Sequence, residues 1–232
     1  MARAHGPTRT AHPRLRRGYP PRAGTRREAG YRFERDAWRA GIGRVAGVDE
    51  AGRGPLAGPV VAAAVILHPE RPIKGLHDSK LLTPSRREEL FAQIFEGAMA
   101  VGVGNVEPET IDRINILEAT RRAMQEAIDK LAFPPELVLT DAVRLVSLPC
   151  PQKNLIQGDR RSASIAAASI VAKVTRDRLM AEYDRRFPEY GFARHKGYAT
   201  PEHRAALAKH GPCPLHRRTF RGVWQQGELF SG

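Results

Sequence analysis

Residues 47–59, with the sequence GVDEAGRGPLAGP, constrain the fold of this chain more than any other segment. An apolar strand pattern ends there in two adjacent carboxylates, Asp49 and Glu50, and glycines and prolines follow them. Adjacent strand residues point to opposite faces of a sheet. Both acids can therefore reach one site only if the chain leaves the extended conformation, which the glycines permit. The alternative interpretation is a solvated turn with incidental charges.

The rest of the chain alternates strand and helix patterns. Apolar, β-branched runs predict strands at residues 45–48, 60–67, 98–106, 137–140 and 154–157. Helical spacing and capping residues predict helices at residues 31–40, 83–95, 111–131, 162–187 and 200–209. A hairpin followed by strand–helix–strand units predicts an α/β fold, with a mixed sheet and helices on both faces.

Two further acids have a similar placement. Asp141 follows the strand predicted at 137–140, and sites in open α/β sheets gather beyond the carboxyl ends of strands. Asp141 would meet Asp49 if their strands are parallel neighbours, although an Asp that begins a turn is the common alternative. Asp159 precedes the long apolar helix and is either a third site residue or the start signal of that helix.

Carboxylates without His or Cys companions form the ligand set of hard, oxygen-seeking cations. Mg²⁺ or Mn²⁺ fit such a set and zinc does not. Two such ions about 4 Å apart can clamp the attacking and leaving oxygens of a phosphoryl transfer. The chain has no Walker A loop, which argues against a nucleoside triphosphatase.

The charge distribution indicates a polyanionic partner. The chain of 232 residues has a net charge of +13, and its three parts differ in sign. Residues 1–44 carry +9, residues 45–143 carry −5 and residues 144–232 carry +9. A carboxylate metal site within a basic protein predicts phosphoryl transfer on nucleic acid.

Composition also excludes several classes of protein. No stretch approaches 18 apolar residues and no apolar segment follows the first residues, so we expect neither a membrane span nor a secretory signal. Two cysteines cannot build a disulfide framework or a zinc knuckle. We therefore expect a cytoplasmic protein. Its histidines are not at zinc-site spacing and are interpreted as surface or packing residues, among them His77, His195, His203, His210 and His216.

The ends of the chain differ from its body. Residues 1–30 are rich in Arg, Pro and Gly and contain almost no aliphatic side chains, which predicts a disordered tail. A mitochondrial transit peptide is the alternative, disfavoured by the prolines and the lack of serine. We assign residues 31–221 to one catalytic domain and residues 222–232 to a C-terminal tail. The arginines of the first tail suggest weak contacts with duplex phosphates.

Taken in order, the motifs resemble those of the ribonuclease HII family over about residues 33–220. The matching blocks are DEAGRGPLAGP at 49–59, GLHDSK at 75–80, NIL at 115–117, LTD at 139–141, GDRRS at 158–162, AAASIVAKVTRD at 166–177, HKGYAT at 195–200, and GP at 211–212 with HR at 216–217. Each block alone is weak, but the ordered set is very specific.

The resemblance implies a ribonuclease H-like fold with a mixed five-stranded sheet and a C-terminal helical segment. It implies an endonuclease that cleaves the RNA strand of RNA–DNA hybrids and nicks 5′ of single ribonucleotides embedded in duplex DNA. The products carry 3′-hydroxyl and 5′-phosphate ends, and the cofactor is Mn²⁺ or Mg²⁺. We further expect a monomer, while a sliding-clamp contact is left open by the sequence.

The resemblance also implies roles for particular residues. The metal ligands and catalytic acids would be Asp49, Glu50, Asp141 and Asp159. The turn that recognises the ribose 2′-hydroxyl would be Gly52, Arg53 and Gly54, and Tyr198 would stack beside the RNA–DNA junction. Phosphate contacts or support of the site would come from Lys80, Lys173 and Lys196.

Three positions depart from the family pattern. Leu81 replaces a frequent second lysine, Ala142 follows Asp141 where Gly is usual, and Ala199 replaces a usual Gly beside Tyr198. None of the three is a proposed ligand, so we expect an active enzyme.

Two other functions remain as alternatives. Ribonuclease HIII carries a folded N-terminal substrate-binding domain, for which residues 1–30 are too short and too rich in Pro and Arg. A non-catalytic nucleic-acid-binding module would use the basic ends but would not need Asp49, Glu50 and Asp141 together.

Overall fold

A five-stranded mixed sheet organises the computed structural model, which describes residues 29–224. Its strand order is β3-β2-β1-β4-β5. The hairpin strands β1 and β2 are antiparallel, as are β2 and β3, whereas β1–β4 and β4–β5 are parallel. The strands are β1 (Val45–Ala51), β2 (Val60–Leu67), β3 (Ala98–Val106), β4 (Leu137–Asp141) and β5 (Gln152–Leu155). The predicted mixed sheet is therefore confirmed.

Helices cover both faces of this sheet, as predicted. One face packs against α3, and the other against α2 and α4. The helices are α1 (Arg32–Arg39), α2 (Pro84–Gly97), α3 (Pro108–Asp129), α4 (Ala163–Arg186), α5 (Phe192–His195) and α6 (Pro201–His210). Short 3₁₀ turns lie at Ser79–Leu81, Gly158–Arg160 and Pro188–Tyr190. Among residues 29–224, none of the helices combines the length and apolar character that crossing a membrane requires.

The first half of α4 is buried on all sides because its side chains are small. Every residue from 163 to 172 is buried, and this run consists of Ala, Ser, Ile and Val. The helix approaches β1 so closely that a Cβ added at Gly47 would lie 2.1 Å from the backbone carbon of Ser164. This contact fixes the distance between the start of α4 and the middle of the central strand.

Several element boundaries differ from the sequence prediction, among them those of β5 and α3. The strand expected at 154–157 lies two residues earlier, at Gln152–Leu155. Helix α3 begins before residue 111 and is interrupted at Asn115, whose φ of 66° and ψ of 165° are not helical. The Asn115 Oδ1 accepts hydrogen bonds from the Leu117 and Glu118 amides, which begins the helix again.

The expected tails lie mostly outside the described residues, since 1–28 and 225–232 are not described. Two residues that we assigned to the first tail do contact the body. Ala29 is buried and donates its amide to the Leu76 carbonyl at 2.8 Å, and the Gly30 carbonyl accepts from the Ala163 amide at 3.1 Å. Val223, assigned to the C-terminal tail, is also buried.

We predict that Gly47→Ala destabilises the fold by about 3 kcal/mol. The added methyl group would force the backbones of β1 and α4 apart, and neither can move without opening the core. Urea unfolding monitored by circular dichroism measures the change. Gly43→Ala is the matched control, since its Cβ would meet only the flexible Glu136 carboxylate at an ordinary 3.8 Å. Equal stability of the two variants would contradict the tight α4–β1 contact.

Candidate active site

The predicted meeting of Asp49 and Asp141 occurs at one edge of the sheet. Strands β1 and β4 are parallel neighbours, and the register pairs Val48 with Thr140. The next residue on each strand is the acid. Asp49, Glu50 and Asp141 all line one pocket of about 280 Å³. Strand β1 continues to Ala51, three residues beyond the predicted end, and the chain turns at Gly52, where φ is 97°.

Burial makes two of these acids unusually difficult to ionise. Asp49 is almost fully buried and accepts a hydrogen bond from Ser169 of α4, whose hydroxyl lies 3.0 Å from that of Ser79. Desolvation, and secondarily repulsion from Glu50, raises the pKa of Asp49 well above its usual range. Burial also raises the pKa of Glu50, while Arg53 at 3.3 Å opposes that rise.

The donor set of the pocket suits a divalent cation. Its acidic groups offer only carboxylate oxygens, which Mg²⁺ and Mn²⁺ prefer. Glu50 Oε2 is buried and has no hydrogen-bond partner among residues 29–224, so this oxygen is available to a cation. In the same described range, no three acidic, His or Cys side chains are already gathered as metal ligands. The pocket therefore presents the required oxygens, and ligation requires their side chains to converge.

Asp159 lies beside this group, behind the residues that line the pocket. The Gly158 amide donates to Asp141 Oδ1 at 3.1 Å and so joins the end of β4 to the turn at Gly158–Arg160. Burial raises the pKa of Asp159 to about 6, and the charges of Asp78 and Asp141 add to the rise. Asp159 is not the start signal of α4, because Ser162 caps that helix by accepting from the Ile165 amide.

The turn at residues 52–54 lines the same pocket as the acids. Gly52, Arg53 and Gly54 all line it. A Cβ at Gly52 would lie 2.1 Å from Arg176 Nε, so packing within the chain requires this glycine. A Cβ at Gly54 would meet no described atom within 4 Å, so packing within residues 29–224 does not require the second glycine.

Two buried arginines hold this turn in place. Arg217 donates to the carbonyls of Gly52, Arg53 and Gly58, at distances between 2.5 and 3.0 Å. Arg176 donates to the carbonyls of Ala57, Pro59 and Lys196, at 3.0–3.1 Å. Together they tie the β1–β2 connection to α4 and to the C-terminal segment.

Our sequence reasoning did not identify Arg176, Arg217 or Ser169 as contributors to the site. Arg217 belongs to the HR block at 216–217, and Arg176 belongs to the AAASIVAKVTRD block at 166–177. Membership of these blocks is the only sign in the sequence that the two arginines contribute to the site. Charged residues are ordinarily exposed, so burial of both arginines is apparent only from the fold.

The predicted lysines occupy three different settings. Lys80 lines the pocket and is exposed, in a 3₁₀ turn whose start is capped by Asp78. Lys173 also lines the pocket, and its Nζ lies 2.6 Å from Asp177. Lys196 does not line this pocket but borders an adjoining groove, which it shares with Lys173. Tyr198 lies at the lip of the pocket, with 47% of its surface exposed.

Of the three departures from the family pattern, Ala142 has a visible structural consequence. Its φ of 56° lies in the left-handed region, which costs a non-glycine residue about 1 kcal/mol. The turn after Asp141 keeps its shape despite this strain, with the Val143 amide donating to the Asp141 carbonyl at 2.6 Å. Leu81 is partly exposed in its 3₁₀ turn, and Ala199 is exposed.

Comparison with known proteins gives a consistent result. A family model described as Ribonuclease HII matches residues 46–226. The chain is 58% identical to Ribonuclease HII of Syntrophotalea carbinolica over 191 residues, which cover 82% of this chain and 91% of that protein. It is 59% identical to Ribonuclease HII of Geobacillus kaustophilus over 192 residues, which cover 83% of this chain and 74% of that protein.

Solved structures share the fold. Ribonuclease H2 from Pyrococcus horikoshii superposes with a TM-score of 0.67 at 29% identity, covering 78% of this chain and 95% of that one. The ribonuclease HII chain of a complex with PCNA from Archaeoglobus fulgidus superposes with a TM-score of 0.66 at 29% identity. The match covers 80% of this chain and 98% of that one. Bst-RNase HIII in complex with Mn²⁺ superposes with a TM-score of 0.62 at 19% identity, covering 78% of this chain and 68% of that one. This likeness concerns the fold alone.

We predict that Asp49→Asn makes the protein more stable at neutral pH in the presence of a chelator. The folded state raises the pKa of Asp49, so ionisation opposes folding as pH rises from the unfolded pKa to the folded one. The asparagine avoids this penalty, so the variant should be more stable than the wild type at neutral pH.

The measurement is urea unfolding of both proteins between pH 3 and 8 in EDTA. The difference should be small at the acid end, grow with pH and then level off. Asp36→Asn, which changes an exposed carboxylate of α1, is the control for the loss of one acidic side chain. A pH-independent difference at Asp49 would contradict the buried-acid interpretation.

Proposed function

The chain belongs to the ribonuclease HII family of metal-dependent hydrolases that cleave the RNA of RNA–DNA hybrids, and from this premise we propose its detailed activity. It nicks duplex DNA on the 5′ side of a single embedded ribonucleotide and leaves 3′-hydroxyl and 5′-phosphate ends. Asp49, Glu50, Asp141 and Asp159 hold the divalent cation, which is Mn²⁺ or Mg²⁺.

One observation carries this proposal: the acids and the turn that would recognise the sugar line the same pocket. Asp49, Glu50 and Asp141 line the pocket together with Gly52, Arg53, Gly54 and Tyr198, and Arg53 lies 3.3 Å from Glu50. A phosphodiester beside the acids would therefore have its neighbouring sugar against the turn. This arrangement couples cleavage to the identity of that sugar.

The polarity of the proposed cut determines the nucleophile. The 3′ oxygen that leaves on the 5′ side of an isolated ribonucleotide belongs to a deoxyribose. That sugar has no 2′-hydroxyl to attack the phosphorus, so the nucleophile is water. Attack in line breaks the bond from phosphorus to the 3′ oxygen, which leaves as a 3′-hydroxyl, and the phosphate remains on the 5′ end of the ribonucleotide.

The carboxylates serve this reaction by holding the cation and the phosphate together. The bound cation supplies Lewis-acid stabilisation of the charge that develops on the phosphoryl oxygens. Asp49, fixed by Ser169, and Glu50, with its unpartnered Oε2, contribute oxygens from β1. Asp141 contributes from β4, and Asp159 lies close enough to Asp141 for their charges to interact.

The open space at Gly54 supports its role in sugar recognition. A backbone without a side chain allows a ribose to approach the peptide groups, and the 2′-hydroxyl distinguishes RNA from DNA. Arg53 is partly exposed beside Glu50, so its guanidinium can face both the acid and the substrate. Gly52 keeps the turn in its conformation.

The basic residues support binding of the duplex backbone. Lys80 and Lys173 line the pocket, and Lys196 extends the basic surface into the adjoining groove together with Arg194. The Tyr198 ring offers an exposed face on which the base pair at the RNA–DNA junction can stack. We propose that these contacts fix the position of the junction relative to the acids.

We predict that the protein incises a duplex with one ribonucleotide in the presence of Mn²⁺ or Mg²⁺ and leaves the all-DNA duplex intact. Asp141→Asn should lower the rate by at least about a hundredfold while substrate still binds, because the change removes one negative charge from the cation site. Denaturing gels with end-labelled strands measure the site and the end chemistry of the cut. Equal cleavage of both duplexes would refute the 2′-hydroxyl specificity, and a fully active Asp141→Asn would refute the ligand assignment.

We also predict that Gly54→Ala folds normally but lowers kcat/KM on the single-ribonucleotide duplex about tenfold or more. The added methyl group meets no described atom of the chain, so only the approach of the ribose is obstructed. Gly30→Ala is the matched control, because its Cβ would also meet nothing within 4 Å of the described structure and it lies outside the pocket. Wild-type cleavage by Gly54→Ala would argue against close contact between turn and sugar.

A further inference from the structure

Three buried histidines form a cluster next to the backbone of residues 197 and 198. His203 and His216 are 0% and 2% exposed, and His195 is 9% exposed. They come from the end of α5, the first turn of α6 and the segment that precedes Arg217. We interpreted them from the sequence as surface or packing residues, and the structure adds that their ring nitrogens form a hydrogen-bonded network.

The hydrogen bonds assign one tautomer to each of two rings. His203 Nδ1 lies 2.9 Å from the Tyr198 carbonyl, which can only accept, so Nδ1 carries the hydrogen. His203 Nε2 lies 3.0 Å from His216 Nε2. In a neutral His203 ring Nε2 can only accept, so His216 Nε2 carries the hydrogen and donates it.

The far end of the network agrees with this assignment. His216 Nδ1 must then accept, and the Cys213 amide, which can only donate, lies 3.0 Å from it. The hydrogen bonds therefore run in one direction, from the Cys213 amide through His216 and His203 to the Tyr198 carbonyl. A hydrogen on both Nε2 atoms, only 3.0 Å apart, would break the network at its centre.

The environment favours the neutral rings that this network requires. Burial lowers the pKa of His203, with the charge of His195 contributing, and burial together with His203 lowers the pKa of His216 to about 4. His195 stacks on His203 with ring centres 4.4 Å apart. Its Nδ1 accepts from the Gly197 amide, so a second histidine holds the residue before Tyr198.

The network connects two elements of the proposed substrate surface. At one end, His203 donates to the backbone of Tyr198. At the other, His216 pairs with Ala57 in an isolated β-bridge, and the following Arg217 holds the carbonyls of Gly52 and Arg53. The position of the stacking ring is thereby coupled to the position of the sugar-recognition turn.

We propose that His203, kept in its Nδ1–H tautomer by His216, is a positioning residue for Tyr198. It fixes the peptide of Tyr198 so that the exposed ring meets the RNA–DNA junction at a set distance from the turn. This inference rests on the role of Tyr198 in the proposed function. His203 itself is fully buried and acts through Tyr198.

Two amide substitutions separate the two hydrogen bonds of His203. The amide nitrogen of His203→Asn occupies about the place of Nδ1 and can still donate to Tyr198. The amide of His203→Gln reaches about the place of Nε2 and keeps only the contact with His216. We expect His203→Gln to raise KM for the single-ribonucleotide duplex about fivefold to tenfold with kcat within about twofold, as for one lost hydrogen bond. We expect His203→Asn to stay within about threefold of wild type.

A double-variant comparison tests whether the effect passes through Tyr198. His203→Gln should not raise KM further when Tyr198→Ala is already present. Equal losses in His203→Gln and His203→Asn, or additive losses with Tyr198→Ala, would overturn the positioning role and leave the proposed function intact. A wild-type KM in Tyr198→Ala alone would overturn both the role of Tyr198 in the proposed function and this inference.

The wild-type protein provides a test that does not depend on any variant folding. Nitrogen-15 NMR of the imidazole rings distinguishes the two tautomers. We expect a protonated Nδ1 for His203 and a protonated Nε2 for His216 at neutral pH. A protonated Nε2 and a bare Nδ1 in His203 would remove the donor to Tyr198 and overturn the inference.

Discussion

The geometry of the site depends on two guanidinium groups that neutralise no buried acid. Among the described residues, every hydrogen bond from Arg176 and Arg217 goes to a backbone carbonyl. Burial of a charge is costly, and it lowers the pKa of Arg217 to about 9. The compensation is that the carbonyls of Gly52, Arg53, Ala57, Gly58 and Pro59, in this irregular segment, gain charged donors. The glycine-rich loop is thereby held in one conformation beside the pocket.

The acidic part of the pocket is built from interactions that oppose folding. Burial raises the pKa values of Asp49, Glu50 and Asp159, and neighbouring acids add repulsion at each of them. The sheet nevertheless places Asp49 and Asp141 side by side, because the register of β1 and β4 is set by apolar residues on both faces. Hydrophobic burial in the core supplies the stability that the acids reduce, which is typical of sites that bind a cation.

The sequence was sufficient to predict which acids meet at the ends of β1 and β4. It was insufficient to predict the contacts of the loops. Apolar runs located β1 and β4, and the parallel-strand rule then placed Asp49 beside Asp141. The sequence placed β5 two residues too late, since its QKNL sequence is polar at a sheet edge, and it missed the break at Asn115, which a helical periodicity passes over. Asp177 pairs with Lys173, whereas its neighbour Arg176 turns inward to the loop carbonyls. Side-chain burial of that kind depends on tertiary contacts.

The acids and the turn are held in place by different parts of the chain, and this separation has a functional meaning. Asp49, Glu50 and Asp141 are fixed by strands within residues 45–141, whereas the turn and Tyr198 are fixed by Arg217 and by the histidine network of residues 195–217. The sheet edge would still hold its acids if the C-terminal segment shifted, but the recognition surface would lose its alignment with them. Changes at the sheet edge should therefore affect whether a phosphodiester is cleaved, and changes in the C-terminal segment should affect which one.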